Sequence, residues 1–317
     1  MAMGVTWRRQ LVVLGSLWAA TSLLALIVVG IAWTGWIKAQ ALRELRAQRR
    51  DVVRVLARIA DSGAREKLDG LSAIAERLGR DWPALHPRDL QRDLHALRAA
   101  LQLPTLFVVS PNGVPLAFSP ARAPDGSSNL DRRYGDREYL QEAARTQRAS
   151  VSGILLGRAA QELVMAVALP IRSGGAPVAY LAGTVPLQSA VRALEEAAGH
   201  TRGWLALMDR DQRALRVDPA SRRLIVEDWS AHPVAAVLKK AEGTAFLTLD
   251  HEDALVVHGS IASLGLVIVF VGEVDALLAG ERRLFWTVMV TLLASVGVSV
   301  TASTVIGRHM LREREND

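Results

Sequence analysis

The 317-residue chain contains no cysteine. This excludes disulfide bonds, a thiolate nucleophile and thiolate metal ligands, so stability must come from an ordinary apolar core. The sequence also has no Gly-x-Ser-x-Gly elbow, no His-Glu-x-x-His pair and no glycine-rich phosphate loop. We therefore predict no catalytic residue and no cofactor, and we interpret the protein as a non-enzyme.

Two clusters of histidine and acidic residues could suggest metal sites, but their spacing argues against it. His251-Glu252-Asp253 and His258 lie on a predicted strand-turn-strand, where a seven-residue gap does not bring both imidazoles to one face. Asp209-Arg210-Asp211 lacks the glycine and the distal glutamate of a calcium loop. We predict that these segments are turns and that no metal binds.

The net charge of +6 is concentrated near the two ends of the chain. Residues 51–280 hold 26 of the 38 Lys and Arg residues and 27 of the 32 Asp and Glu residues, so this part is close to neutral. The basic excess flanks apolar segments, as lipid headgroups favour. Because no basic stripe with interleaved aromatic residues remains, we predict no nucleic-acid partner.

Two uncharged apolar runs, residues 11–37 and 284–307, enclose the polar middle of the chain. As helices they would be ~40 and ~36 Å long, enough to cross a hydrocarbon core of ~30 Å. The first run is too long for the apolar core of a signal peptide and continues into a charged segment. The sequence thus predicts two transmembrane helices, the first an uncleaved anchor.

The flanking arginines predict a two-pass protein of the cell inner membrane. Arg8 and Arg9 lie in an N-terminal segment, residues 1–10, and Arg308 and Arg312 lie in a short tail, residues 308–317, so both ends are expected in the cytoplasm. A basic cluster also follows the first run, but a long domain is translocated largely regardless of its charge. The middle is expected in the periplasm or outside the cell.

Residues 38–103 form a predicted helical stalk. Apolar residues, Val52, Leu56 and Ile59 among them, recur there at steps of three and four, as on one face of a helix. Gly63 and Gly70 allow a bend, and Trp82-Pro83 ends the first run. The apolar stripe either packs on a sheet of the same chain or forms the seam of a homodimer through residues 38–80.

After residue 103 the pattern changes to short strands with turn signals, and this pattern occurs twice. Residues 106–116 align without gaps with residues 205–215, an offset of 99. Each copy continues into a short helix and further strands, which is typical of an α+β fold with antiparallel sheets. We define a first module, residues 104–187, a connector, residues 188–202, and a second module, residues 203–275.

The most distinctive segment is Asp136-Arg137-Glu138-Tyr139 with the helix that follows, and it is similar to the Asp-Arg-x-Tyr/Phe helix of double Cache domains. Val151-Ser152-Gly153 and Val167-Ala168-Leu169-Pro170 extend the similarity. Double Cache domains are sensor domains of bacterial chemoreceptors, sensor kinases and diguanylate cyclases. The resemblance implies two PAS-like Cache modules in series on a long N-terminal helix, with the first module farther from the membrane.

The resemblance also implies a small ligand held in the first module. Tyr134, Arg137 and Tyr139 are the expected ligand-binding residues, with Arg133 as a further cation, because a guanidinium suits a carboxylate and phenols pack while offering a hydroxyl. The alternative is that Arg137 is an ordinary helix-start residue and Tyr139 a core residue.

Two departures disfavour an amino-acid ligand. Glu138 stands where amino-acid-binding members have tryptophan, and no acidic residue lies between Leu163 and Glu195 to hold an ammonium group. A carboxylate, another anion or no small ligand remain open.

Family members usually continue past the second membrane helix into an output domain, whereas here only residues 308–317 follow. We therefore expect either a sensor that relays its signal to a separate protein, such as a kinase, a cyclase or a transducer, or the sensory part of a longer ancestor. The alternative is a periplasmic binding or assembly module without transmembrane signalling.

Overall fold

The computed structural model describes residues 3–32, 35–36, 38–187, 190–192, 196, 203–218, 221, 223–238, 242–249 and 251–313. It has an α+β architecture with one long helix and two antiparallel sheets. Contacts divide the chain into two units, Met1–Gln48 with Val274–Asp317, and Arg49–Glu273. The predicted connector 188–202 lies mostly outside the described residues, so its boundaries stay a prediction.

The unit formed by the two chain ends is helical. It contains α1 (Met3–Ala32) and the C-terminal helices, which are α6 (Val274–Leu277) and α7 (Ala279–Glu313), and α1 contacts α7. Within the described residues no helix combines the length and the apolar character that a membrane crossing requires. The predicted span 11–37 includes residues outside that description, and both predicted spans, 11–37 and 284–307, stay a prediction.

The stalk begins as one helix, α2 (Lys38–Asp81), followed by a single 3-10 turn (Trp82–Ala84) and by α3 (Pro87–Ala100). The permitted bend does not break α2, which continues through Gly63 and Gly70. Its packed face differs in part from the predicted stripe, because Val53 and Ala57 are buried whereas Val52 and Ile59 are exposed.

The first module is a six-stranded sheet with the order β2-β1-β6-β5-β3, and β4 also pairs with β5. The helix α4 (Glu138–Thr146) lies between the first hairpin and the remaining strands, as expected. Residues 150–156 contribute two short strands. The strands are β1 (Leu106–Val109), β2 (Pro115–Ser119), β3 (Ser150–Val151), β4 (Leu155–Leu156), β5 (Leu163–Ser173) and β6 (Ala176–Pro186).

The second module repeats the central strand order, with β10-β11-β12-β7-β8-β9 in its sheet. Here β7, β8, β11 and β12 take the places of β1, β2, β5 and β6, as the internal repeat predicts. A short helix, α5 (Pro233–Val237), precedes the last three strands. The strands are β7 (Trp204–Met208), β8 (Arg213–Val217), β9 (Leu224–Asp228), β10 (Glu242–Leu249), β11 (Glu252–Ile261) and β12 (Leu266–Glu273).

The helix α2 packs on both sheets. Val53 and Ala57 lie against Gly259 of β11, where a Cβ would stand 3.3 Å from each side chain. Farther along, Leu71 and Leu78 belong to an apolar cluster with α3 and the strands of the first module. The helix therefore joins the two modules along one face, and the opposite face of the first sheet is left for α4.

Candidate ligand site

Three of the expected ligand-binding residues, Tyr134, Arg137 and Tyr139, meet in a cavity of the first module. The sheet supplies Phe107 from β1 and Phe118 from β2, and the start of α4 supplies Arg137 and Tyr139. The segment after β4 closes the far side with Gly157, Arg158 and Ala159. The cavity has a volume of about 20 Å³, which is room for one water molecule.

Three stacked aromatic rings explain why the cavity is small. The centroids of Phe107 and Phe118 are 4.5 Å apart with nearly parallel rings. Tyr134 lies on both, 5.0 Å from Phe107 and 5.5 Å from Phe118. These rings fill the space between the sheet and the loop that precedes α4, so a ligand larger than water requires the Tyr134 ring to move.

The position of Tyr134 is set by the turn between β1 and β2. The backbone N–H of Tyr134 donates to the carbonyl of Gly113 over 2.9 Å. Gly113 has a φ of 75°, and a Cβ there would overlap the backbone of Gly135. Only glycine meets both requirements, so the Pro111-Asn112-Gly113 turn seats the loop that carries Tyr134.

Arg158 binds the same loop from the other side of the cavity. Its guanidinium donates to Asp136 Oδ2 over 2.6 Å and to the carbonyl of Arg133 over 2.6 Å. It also lies over the Tyr134 ring at 5.7 Å. The hydrogen bond from Arg158 lowers the pKa of Asp136, so this ion pair stays formed at neutral pH and ties the loop to the segment after β4.

Arg132 fixes the outer part of the loop. It donates to the carbonyl of Arg158 over 2.6 Å and to Asp125 over 3.2 Å, and it bonds the Ser127 hydroxyl. The carboxylates of Asp125 and Asp136 are therefore each already paired with an arginine.

Arg137 differs from these two arginines. Its side chain is half-buried and lines the cavity, and the structure gives its guanidinium neither a hydrogen bond nor an ion pair within the residues it describes. The Tyr134 hydroxyl is also buried without a hydrogen-bond partner. Burial raises the pKa of Tyr134 and of Tyr139, so both phenols are neutral hydrogen-bond donors at physiological pH.

Three of the four expected site residues, Tyr134, Arg137 and Tyr139, line the cavity. Arg133 does not: its side chain is exposed, and only its backbone carbonyl contributes, as the acceptor for Arg158. Sequence reasoning missed Arg158, Phe107 and Phe118. The sequence signal for Arg158 was its position shortly after Val151-Ser152-Gly153, whereas the two phenylalanines have the pattern of ordinary strand residues.

A second, wider groove of about 540 Å³ lies on the second module. It lies between the end of β7, the start of α5 and the turn before β12, and Arg210, Ser230 and Leu238 are among its lining residues. It provides a comparison site for binding experiments.

Two successive modules of this topology on one long helix define the double Cache fold of bacterial ligand-binding sensor domains. No family model and no curated protein sequence matches the chain. The fold assignment therefore rests on solved structures.

The chain is similar to the ligand-binding domain of the Pseudomonas aeruginosa PAO1 amino acid chemoreceptor PctB in complex with L-Arg. The TM-score is 0.60 at 17% identity, over 74% of this chain and 97% of that one. The domain of Pseudomonas fluorescens CtaA with L-isoleucine gives 0.57 at 16%, over 77% and 98%. The domain of Pseudomonas aeruginosa PAO1 PctC with GABA gives 0.55 at 16%, over 72% and 100%.

Proposed function

We propose that the chain is a sensor whose first module binds a small carboxylate or a similar anion. Arg137 carries this proposal, because it is a half-buried cation on the cavity wall without a counter-ion among the described residues. The Tyr134 hydroxyl beside it is buried and unpaired. A buried polar group without a partner costs about 1–3 kcal/mol, and one carboxylate would accept hydrogen bonds from both groups.

The surrounding charges favour an anion. Arg132 and Arg158 are neutralised by Asp125 and Asp136, which leaves the charge of Arg137 uncompensated. A guanidinium binds a carboxylate with two parallel hydrogen bonds. The molecules bound by PctB, CtaA and PctC also carry a carboxylate, which supports this chemistry. The lack of an acidic residue between Leu163 and Glu195 disfavours a ligand with an ammonium group.

Binding requires a change of conformation, since about 20 Å³ holds no organic ligand. The Tyr134 loop is the element that must move, because it forms one wall and is held mainly by Arg158 and Gly113. A ligand shifts this equilibrium only if it binds the open arrangement better than the closed one. A sensor needs two conformations that differ in ligand affinity, and the open and closed arrangements of the Tyr134 loop would be those conformations.

We propose that residues 11–37 and 284–307 anchor the sensor in the inner membrane with both chain ends in the cytoplasm. The uncharged runs and the flanking arginines support this topology. So do exposed apolar side chains on α1 and α7, such as Leu23, Ile31, Leu284 and Val290, since surfaces of this kind are rare in contact with water. A separate kinase, cyclase or transducer would receive the signal, and co-purification from native membranes would identify it.

The exposed stripe of α2 supports a homodimer. Val52, Val55 and Ile59 are 36%, 52% and 66% exposed and recur at steps of three and four residues, as at a helix-helix seam. We propose that this stripe packs against the same stripe of a second copy.

The binding proposal is tested by thermal melting of the full chain in detergent with acetate, succinate, citrate, inorganic phosphate and L-arginine. We expect a stabilising shift with at least one carboxylate, lost in Arg137→Ala. Arg210→Ala is the matched control, because it removes an arginine from the groove of the second module. A shift that survives Arg137→Ala but disappears in Arg210→Ala would contradict the site assignment.

One observation favours the alternative, a binding or assembly module. The cavity is nearly closed, and four large apolar side chains are exposed on the first module, at Val114, Leu116, Leu130 and Leu156. A photo-crosslinker at position 116, introduced in native membranes, tests this function. Capture of a defined envelope protein, together with no melting shift for any anion, would favour assembly over sensing.

A further inference from the structure

A turn of the second module binds a backbone segment of the first. The carboxylate of Asp209, which follows β7, accepts a hydrogen bond from the backbone N–H of Ile154 over 2.7 Å. Arg213, at the start of β8, donates to the backbone carbonyl of Ile154 over 3.2 Å. Both backbone polar groups of one first-module residue, Ile154, are thus bound by side chains of the second module.

Both oxygens of the Asp209 carboxylate accept hydrogen bonds, and the side chain is buried. Its second oxygen accepts from the backbone N–H groups of Asp211 and Arg213, each over 2.9 Å. Asp209 is only 2% exposed. Burying a carboxylate is costly unless hydrogen bonds replace its water, and here three backbone donors do so. An amide at this position could not accept at both ends, so the carboxylate itself is required.

The approach of the two backbones is too close for a side chain on the first module. A Cβ on Gly153 would stand 2.6 Å from Asp209 Oδ2 and 2.9 Å from Asp211 Oδ2. Ser152, one residue earlier, is bound to β5, since its N–H donates to the carbonyl of Ala166 and its hydroxyl accepts from the Ala166 N–H, both over 2.8 Å. The first-module segment that contacts Asp209 is therefore held in place by hydrogen bonds to the first sheet.

The bound segment leads directly into the ligand cavity. Leu155 follows Ile154 and lines the cavity, as do Gly157 and Arg158. A movement of Arg158 with the Tyr134 loop would therefore act on the peptide that Asp209 holds.

On the side of the second module, the turn 209–213 is attached to the apolar core of that module. The carbonyl of Gln212, inside the turn, accepts from the N–H of Trp229 over 2.8 Å, and Trp229 belongs to the apolar cluster of the second module. The strand β7, which ends at Met208, pairs with β12, and β12 continues along the chain into α6 and α7.

We propose that Asp209 is a positioning residue that couples the cavity wall, Ile154 to Arg158, to the second module. This rests on the proposed function and names the route by which the first module acts on the second. It predicts that a change that destabilises the cavity wall also raises the hydrogen exchange of the turn 209–213, but only while the Asp209 carboxylate is present.

The coupling is tested without any ligand, by hydrogen exchange with mass spectrometry on the full chain in detergent. Leu155→Ala loosens the cavity wall, and we expect it to raise the exchange of the turn 209–213 by about threefold or more. In an Asp209→Asn background the same change should alter exchange only in the first module. Asp218→Asn is the matched control: Asp218 also accepts a hydrogen bond from a backbone N–H of the second module, that of Ser221, so coupling should persist.

The coupling role is wrong if Leu155→Ala changes the turn equally in the wild-type and Asp209→Asn backgrounds, or does not change it at all. Should Asp209→Asn fail to fold, Arg213→Ala removes the other bond to Ile154 and should reduce the response of the turn. Because no ligand is added, a failed search for carboxylate binding would refute the proposed function without affecting this result.

Discussion

Replacing Gly113 by alanine should destabilise the first module by more than the strain of an alanine in the left-handed backbone conformation. An alanine at a φ of 75° costs about 1–2 kcal/mol in left-handed strain. The new Cβ would also overlap Gly135, so the loop must move away. That movement breaks the Tyr134–Gly113 hydrogen bond, worth about 1 kcal/mol, and disturbs the ring stack, worth about 1 kcal/mol more.

We therefore expect Gly113→Ala to lower the free energy of unfolding by about 3–4 kcal/mol. Gly126→Ala is the matched control. Gly126 also has a positive φ, 83°, but its Cβ would meet nothing within 4 Å, so only strain of about 1–2 kcal/mol remains.

The assay is equilibrium urea unfolding of the full chain in detergent, followed by circular dichroism. Hydrogen exchange of residues 130–140 serves as the local readout and should rise in Gly113→Ala alone. Equal losses of stability in the two variants would refute the idea that close backbone approach at Gly113 seats the Tyr134 loop.

Two further predictions concern pH and packing. Burial lowers the pKa of His258 below its usual 6.5, so the unfolded chain takes up the proton first and stability falls as the pH drops below about 6.5, by at most about 1.4 kcal/mol per pH unit. Urea midpoints at pH 7.0 and 5.5 should differ less in His258→Gln than in the wild type, and an unchanged difference would contradict this. The pKa values of some carboxylates, such as Asp61 and Glu242, are lowered in the folded chain. Their protonation reduces stability only at a lower pH than this range. Phe118→Ala removes a fully buried ring and should cost about 3–5 kcal/mol while enlarging the cavity; a smaller loss in urea unfolding would mean that the loop collapses into the space.

Much of the fold could be predicted from sequence because its signals are local. The Pro111-Asn112-Gly113 turn between two apolar runs predicts the first hairpin, and the repeat at an offset of 99 predicts a second sheet of the same order. Both antiparallel sheets are confirmed. Strand β9 (Leu224–Asp228) was missed because it is a half-exposed edge strand whose charged residues resemble a loop.

The site was less predictable because it depends on contacts between distant segments. Tyr134, Arg137 and Tyr139 stand close together in sequence, so one motif could indicate all three. Arg158 acts through an ion pair with Asp136, 22 residues away, and no spacing rule reveals such a pairing. The Asp209 contact with Ile154 joins two modules, and its sequence signature is only a common turn.

The proposed sensor function is tested most directly by hydrogen exchange of the full chain with and without the compound that gives the largest melting shift. We predict slower exchange in residues 134–140 and 155–158, which form the cavity wall, together with a change in the turn 209–213. Protection confined to the segments 208–212 and 230–238, which line the groove of the second module, would instead place the ligand there. That result would contradict a site built around Arg137.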